Sequence, residues 1–524
     1  MSSPFASYLG TNYSPRDTEL AQIRRLLIEP GVRLKRLEDE IAAIQKTLDE
    51  LTEERDTLSA YVEAHKALMS PIRRLPVEII QDIFLACLPT HRNCVMSAQE
   101  APIILGRICS SWRAISLSLP QLWSRLHIAE PVLPPPNSPN RRLTEAKVAQ
   151  RLEVAYAWLR RSGDCPLSIS LESRSNRPMN AHLADPVPSS PNLFMEALVS
   201  FAHRWQNIRL AAQLETLLHL TENDVPILKQ LELVQYFENP PNFVSQFGIL
   251  HSPSLTSFSF AGSNNLSDLP LRWNQLTSLS LFPRWDAEYA QTCQVALDIL
   301  SICPKLQTCR LIVHDSPDVT NAVIECPLLQ TIDLVCVNGS LLHTAGRLLS
   351  HLSLPGLEDF KLGGQQDPQQ ESTAGSLLSS LAASPRLKII KIDSDAFTKS
   401  SLIDFLRGLP PTIQQLHILD PIAPWIEAWL DDDGLAVLAT HCPGLQELTI
   451  LNCRKVSDEA LLRFISGMPA LKHIAVEFRR ERDSDIRPSI QPLVDGGLSS
   501  IITYLPDLPP PPFSPWEGLF DEPS

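Results

Sequence analysis

The sequence predicts an α/β solenoid preceded by helical modules, and three observations point to it. Leucine supplies about 80 of the 524 residues. A short apolar phrase recurs about ten times between residues 228 and 476. A separate seven-residue apolar repeat fills 34–62. The balance of 45 prolines against 19 glycines argues against a fold built on phosphate-cradling glycine loops. With 44% hydrophobic and 20% charged residues the chain can bury a sizeable core, which excludes wholesale disorder. The length suggests about three domains.

Residues 1–20 are polar and mixed, and a flexible lead is expected there. From 32 to 70 the pattern is helical. Leu34, Leu37, Ile41, Ile44, Leu48, Leu51, Leu58 and Val62 fill the a and d positions of about five heptads, with Arg55 and His65 as polar exceptions. Lys, Glu, Asp, Gln and Arg lie between them, so this is a coiled-coil repeat whose seam must be buried. Pro30–Gly31 is expected to bound the helix upstream and Pro71 downstream. Either a second copy, making a homodimer through 34–62, or another part of the chain would cover the seam.

Residues 71–127 hold a different kind of module. It opens Leu75-Pro76-Val77-Glu78-Ile79. Pro76 suits a first helical turn and Glu78 suits the positive end of the helix dipole. Ile79, Ile80, Ile83, Phe84, Cys87 and Leu88 give a broad apolar face, and Pro89 ends the helix. A loop over 89–101 follows, then apolar residues from Ile103 to Trp112 and on to Leu122 and Trp123. So many large apolar side chains exceed what about 55 residues can bury alone, which implies a partner surface. Beyond it, 128–190 reads as a proline-rich linker with a helix near 143–161 and an alternating strand at Leu167, Ile169 and Leu171.

The leucine excess sits in 191–480. The phrase is apolar, two residues, apolar, one residue, apolar. It appears as Leu228-Leu231-Leu233, Leu255-Phe258-Phe260, Leu276-Leu279-Leu281, Leu306-Cys309-Leu311 and Leu329-Ile332-Leu334. It continues through Leu357-Phe360-Leu362, Leu387-Ile390-Ile392, Ile413-Leu416-Ile418, Leu445-Leu448-Ile450 and Leu471-Ile474-Val476, with Trp205-Ile208-Leu210 as a degenerate first copy. Helical stretches lie between copies. Spacing and phrase resemble the leucine-rich repeat, in which each unit contributes one strand and one helix and stacking makes the core continuous. Residues 481–524 form a proline-rich tail, with Leu498–Leu505 a last ordered piece.

The module at 71–127 resembles an F-box. The resemblance rests on Leu75-Pro76-x-Glu78-Ile79 and on Cys109-x-x-Trp112-Arg113 followed by Leu122-Trp123. The 89–101 loop is longer than in the compact form of the family. The order of coiled coil, F-box and repeats resembles the expanded F-box families of mushroom-forming fungi. The resemblance implies a three-helix module that docks on the adaptor Skp1 and, through it, on a cullin. The chain would then be a substrate receptor of an SCF-type ubiquitin ligase. The expected adaptor contacts are Leu75, Pro76, Ile79, Ile83, Phe84 and Trp123. Trp112 is either an internal anchor or a contact. The expected target contacts are solvent-facing strand residues, among them Arg310, Asp333, Lys361, Lys391 and His417.

Other chemistry is not encoded. No serine-hydrolase, zincin or Walker-type motif occurs, and no Cys-x-x-Cys pair suggests zinc, so neither enzyme nor cofactor is expected. The net charge of −14 disfavours nucleic acid. No apolar run is long enough to span a membrane. With no export signal at the N-terminus, a cytoplasmic or nuclear location and eleven reduced cysteines are expected.

Overall fold

The computed structural model describes residues 3–131, 141–173, 193–235, 243–262, 269–282, 291–316, 322–366, 373–423 and 426–504. Most of the proline linker, the loop before residue 193 and the polyproline run at 509–512 lie outside these. The chain divides into two compact units, Met1–Ile80 and Gln81–Ser524.

The first unit is dominated by α1, Asp17–Leu68, a single helix of 52 residues. It starts where the Glu19 carboxylate accepts the Arg16 backbone N–H at 2.8 Å and the Tyr13 hydroxyl at 3.0 Å. Those two bonds hold the Glu19 pKa below its ordinary value, the backbone bond first. The helix therefore runs through Pro30 and does not start after it, which corrects the expected boundary and shortens the flexible lead. A proline in a helix interior removes one backbone bond, and here the missing N–H leaves the Leu26 carbonyl without its usual partner. Neighbouring turns carry the helix past that gap. None of its residues is buried.

The second unit is built on one parallel sheet. Its strands in order are β1 Arg125–Glu130, β2 Leu167–Ser173, β3 Trp205–Ala212, β4 Gln230–Gln235, β5 Ser257–Ala261, β6 Ser278–Phe282 and β7 Thr308–His314. They continue as β8 Thr331–Cys336, β9 Asp359–Gly363, β10 Ile389–Asp393, β11 Gln415–Leu419, β12 Glu447–Cys453, β13 His473–Phe478 and β14 Ser499–Tyr504. Each pairs with the next in sequence order, and the two-residue strand Gln291–Thr292 joins β7 at the side. The predicted α/β solenoid is therefore the fold, and it reaches further than the repeated phrase does. β1 and β2 add to it upstream and β14 downstream, inside segments expected to be linker and tail.

The phrase explains the core. Its second and third positions align from strand to strand, as in Leu231↔Phe258↔Leu279↔Cys309↔Ile332 and Leu233↔Phe260↔Leu281↔Leu311↔Leu334. All of these are buried. The first position, at Leu228, Leu255, Leu276, Leu306 and Leu329, is buried too and lies two residues before each strand. Sealing three apolar rows per repeat leaves no single unit able to fold alone. The returns differ along the chain. Between β3 and β6 they are 3-10 turns such as Glu215–His219 and Gly248–His251, whereas from β6 onward they include α-helices such as Cys293–Ser301, Leu341–Ser350 and Asp458–Gly467.

The cysteines follow the same logic. All eleven are unpaired, and Cys293, Cys303, Cys309, Cys326, Cys336 and Cys453 are buried among repeats. Burial pushes the Cys303 thiol up to about 12 and Cys326 up to about 11. Among the described residues no group of three His, Cys, Asp or Glu side chains is placed to hold a metal.

Candidate functional site

The motif segment folds as α2 Val77–Ala86, α3 Leu105–Ile108, α4 Ser110–Ser118 and a 3-10 turn Pro120–Trp123. The Cys-x-x-Trp-Arg phrase does internal work. Cys109 caps α4, its sulfur accepting the Trp112 backbone N–H at 3.5 Å. Arg113 donates Nε–H to the Gly106 carbonyl at 2.8 Å and ties α4 back to α3. Trp112 meets Phe84 edge to face with ring centroids 4.9 Å apart. The anchor reading of Trp112 therefore has a specific partner.

The six expected adaptor contacts separate into two groups. In the first unit Leu75, Pro76 and Ile79 are exposed, Ile79 by 45%. In the second unit Ile83 is 36% exposed, whereas Phe84 is fully buried and Trp123 only 4% exposed. Phe84 and Trp123 are corrected from contacts to core. Trp123 lies edge-on against Trp158 of α5, Arg141–Arg161, with centroids 4.9 Å apart. The Arg161 guanidinium sits 4.9 Å from the Trp123 ring. Neither ring has a face left for a partner. Exposed apolar residues that the motif did not single out are Ile104, Ile108 and Leu117, at 39%, 58% and 44%. Their signal was an apolar residue beside a buried one, as Ile104 stands beside Leu105.

The long 89–101 loop is pinned to the start of the sheet. Arg92 grips Glu100 through two bonds, of 3.1 and 2.7 Å, and Glu100 also accepts the Val95 N–H at 2.9 Å. Arg125 donates to the Pro89 carbonyl at 2.6 Å, and the His127 N–H donates to the Cys94 carbonyl at 2.7 Å. Asn93 reaches the Ser170 hydroxyl at 3.1 Å. The extra length thus docks this module on β1 and β2. A cleft of about 110 Å³ beside it, lined by Met96, His127, Ala129, Gln150, Arg151 and Val154, is smaller than ordinary ligand pockets.

The expected target residues converge. Arg310, Asp333, Lys361, Lys391 and His417 face one another directly across five consecutive strands. They form one row on the outer face of the sheet. Asp333 forms an ion pair with Arg310 at 2.9 Å and lies 3.8 Å from Lys361, while Lys391 binds Asp359 at 2.8 Å. Asp359 and Asp393, each two residues along its strand from the row, were missed by sequence. Burial raises the Asp393 pKa, and burial followed by the charge of Lys391 lowers that of His417. Arg310 also lies 3.7 Å over the Phe282 ring. Three cations and three carboxylates thus balance within this patch.

A scan against protein-family models and a search of curated proteins return no match. Solved structures do match in part. The leucine-rich repeat-containing protein LegL7 from Legionella pneumophila is 14% identical, with 59% of this chain covering 94% of that one at a TM-score of 0.35. A chain of the yeast Rad7 and Elc1 complex is 14% identical, with 69% covering 86% at 0.35. A Bacteroides fragilis protein is 14% identical at 0.30, and this chain spans 65% of it, under two thirds of its length. Among the described residues no helix is long and apolar enough to cross a membrane.

Proposed function

We propose that this chain is a non-catalytic substrate receptor of an SCF-type cullin–RING ubiquitin ligase. In this reading a Skp1-type adaptor takes exposed apolar residues of the motif segment, the candidates being Leu75, Pro76 and Ile79 in the first unit and, separately, Ile83, Ile104, Ile108 and Leu117 in the second. The outer row from Arg310 to His417 holds the target protein. Tethering then keeps target lysines near the charged enzyme at an effective concentration on the order of millimolar. The observation that carries the reading is the combination of a motif whose anchors Phe84, Trp112 and Trp123 are packed internally with apolar neighbours left in solvent. Unpartnered apolar surface of this kind marks a protein interface. Chemistry belongs to the partners in this scheme, and the location is cytoplasmic or nuclear.

Co-purification of the full chain with recombinant Skp1 tests it. Wild type is expected to bind, and Ile83→Asp to lose binding while keeping its melting temperature. A wild-type chain that does not retain Skp1 ends the proposal. The competing reading is a dimerising repeat scaffold with no ligase role, favoured by the exposed heptad seam. It predicts self-association without adaptor binding.

A further inference from the structure

The continuous helix α1 extends the heptads beyond what Pro30 allowed on sequence. Taking Leu34 as an a position, the same frame places Leu20 and Leu27 at a and Ile23 and Pro30 at d. The seam then has fourteen positions, from Leu20 to His65. Leu27, Leu34, Leu37, Ile41, Ile44, Leu48, Leu51 and Leu58 are each about half exposed or more. An apolar stripe of this length in water is unstable without cover.

We infer that α1 is covered by a second copy of itself, antiparallel and end to end. The seam residues choose the direction, and the flanking charges choose the register. In an antiparallel pair, a positions face d positions, and g faces g while e faces e. With Asp17 opposite Leu68, every one of the fourteen seam positions finds a seam partner and none overhangs. Leu34 meets Leu51, Leu37 meets Leu48, Ile41 meets Ile44 and Ile23 meets Val62. Of the three irregular positions His65 meets Leu20, and the other two fall in one layer, Pro30 against Arg55. There the Arg55 guanidinium of one copy faces the proline whose missing N–H leaves the Leu26 carbonyl open.

Flanking positions agree. Arg33 faces Glu54 and Asp17 faces Lys66, each twice by symmetry, and no like charges meet. Sliding by one heptad in one direction sets Glu40 against Glu54 and Arg24 against Lys66. Sliding the other way sets Glu38 and Glu40 against their own copies. A parallel pair in register gains Arg33 against Glu38 and Glu19 against Arg24, but it stacks Arg55 on Arg55, Pro30 on Pro30 and His65 on His65 in the seam. One arrangement therefore satisfies seam and charge together. It is independent of adaptor docking, because it uses no residue of the motif segment.

Sedimentation equilibrium of the full chain and of charge-reversed full chains tests the pairing. Glu54→Arg and Arg33→Glu are each expected to weaken the dimer roughly tenfold, since each turns two attractive pairs into repulsive ones. The double variant Arg33→Glu/Glu54→Arg restores wild-type affinity, and Glu38→Arg leaves it unchanged. A monomeric wild-type chain at micromolar concentrations overturns the inference. So does weakening by Glu38→Arg without weakening by Glu54→Arg, which is the parallel signature. Failure of the double variant to recover rejects the register.

Discussion

The Trp123 indole N–H donates to the Ser116 carbonyl across 2.8 Å, entirely inside the protein. That bond links the last turn of α4 to the 3-10 turn that follows it, and it fixes the ring between Trp158 and Arg161. A side chain so placed acts on stability.

Trp123→Ala is therefore expected to lower unfolding stability by about 3–5 kcal/mol, the range for losing a fully packed aromatic. Thermal melts of the full chain measure it. Ile83→Asp, at an exposed site, should change stability by under about 0.5 kcal/mol while abolishing adaptor retention. If both variants lose adaptor binding with unchanged melts, Trp123 is a contact after all.

Asp458 closes the far end of the repeats. It is 1% exposed and accepts Arg480 at 2.8 Å, the Asp483 and Ser484 N–H groups at 2.8 Å and the Tyr504 hydroxyl at 2.9 Å. Burial pushes its pKa up, but the bonds from Arg480, Ser484 and Tyr504 outweigh burial and hold it below 3.8. A depressed carboxyl stabilises the fold above its unfolded pKa, and that stability fades as pH falls through the folded value. Asp458→Ala should cost about 3 kcal/mol at pH 7 by leaving Arg480 and two backbone donors unmatched. As pH falls below 3.8 the gap between variant and wild type should narrow. A constant gap from pH 7 to pH 2 would refute this assignment.

Asp420 behaves in the opposite sense. It has no exposed surface, accepts the Ser394 hydroxyl at 2.5 Å through one oxygen, and has its other oxygen buried without a hydrogen bond. Burial raises its pKa to about 6. The folded state then prefers the protonated acid, so this group destabilises progressively as pH rises from about 4 to 6. Asp420→Asn should gain roughly 1–3 kcal/mol at pH 7 and little at pH 4. Urea unfolding at the two pH values measures it, and equal effects at both would exclude a charged Asp420.

Asn452 holds a left-handed backbone, φ 57°, at the end of β12. Its side-chain N–H donates to the Asp420 carbonyl at 3.3 Å, and its oxygen accepts Arg479 at 2.9 Å. Asn452→Gly keeps the backbone and loses both bonds, at about 1–2 kcal/mol. Asn452→Ala should lose about 1 kcal/mol more, for forcing a β-carbon into that region. Equal losses in the two variants would show that the backbone conformation carries no cost.

What the sequence made legible were patterns that recur. Ten copies of one phrase place Leu231, Phe258 and Leu279 in a single buried row, and eight heptad positions mark one stripe of α1. β1 escaped altogether, and β2 and β14, legible as a strand and an ordered piece, escaped as members of the ladder, because each lacks part of the phrase. β14 carries Ser500 where its neighbours carry an apolar residue, and β1 and β2 have no leucine in the leading position. Pro30 misled because a local breaker yields to fifty residues of helical propensity. Phe84 and Ile83 stand side by side in the chain, and only the packing of Trp112 decides which of them faces water. The five polar row residues were legible because strand period fixes their side. Asp359 and Asp393 belong to adjoining rows that the phrase does not mark.

The two edges of the sheet are unlike. β1 is sheltered by the Cys94–Val95 segment, which bridges to His127. Among the described residues β14 is the last strand of the ladder, and its residues alternate between exposed and half-buried. Its Ser-Ser-Ile-Ile-Thr-Tyr sequence is uncharged and rich in strand-forming residues. Such a rim is a template for another extended chain. Among the described residues the ladder is thus covered where it begins and presents an edge strand where it ends. Crowding or partial unfolding should start aggregation from the β14 side.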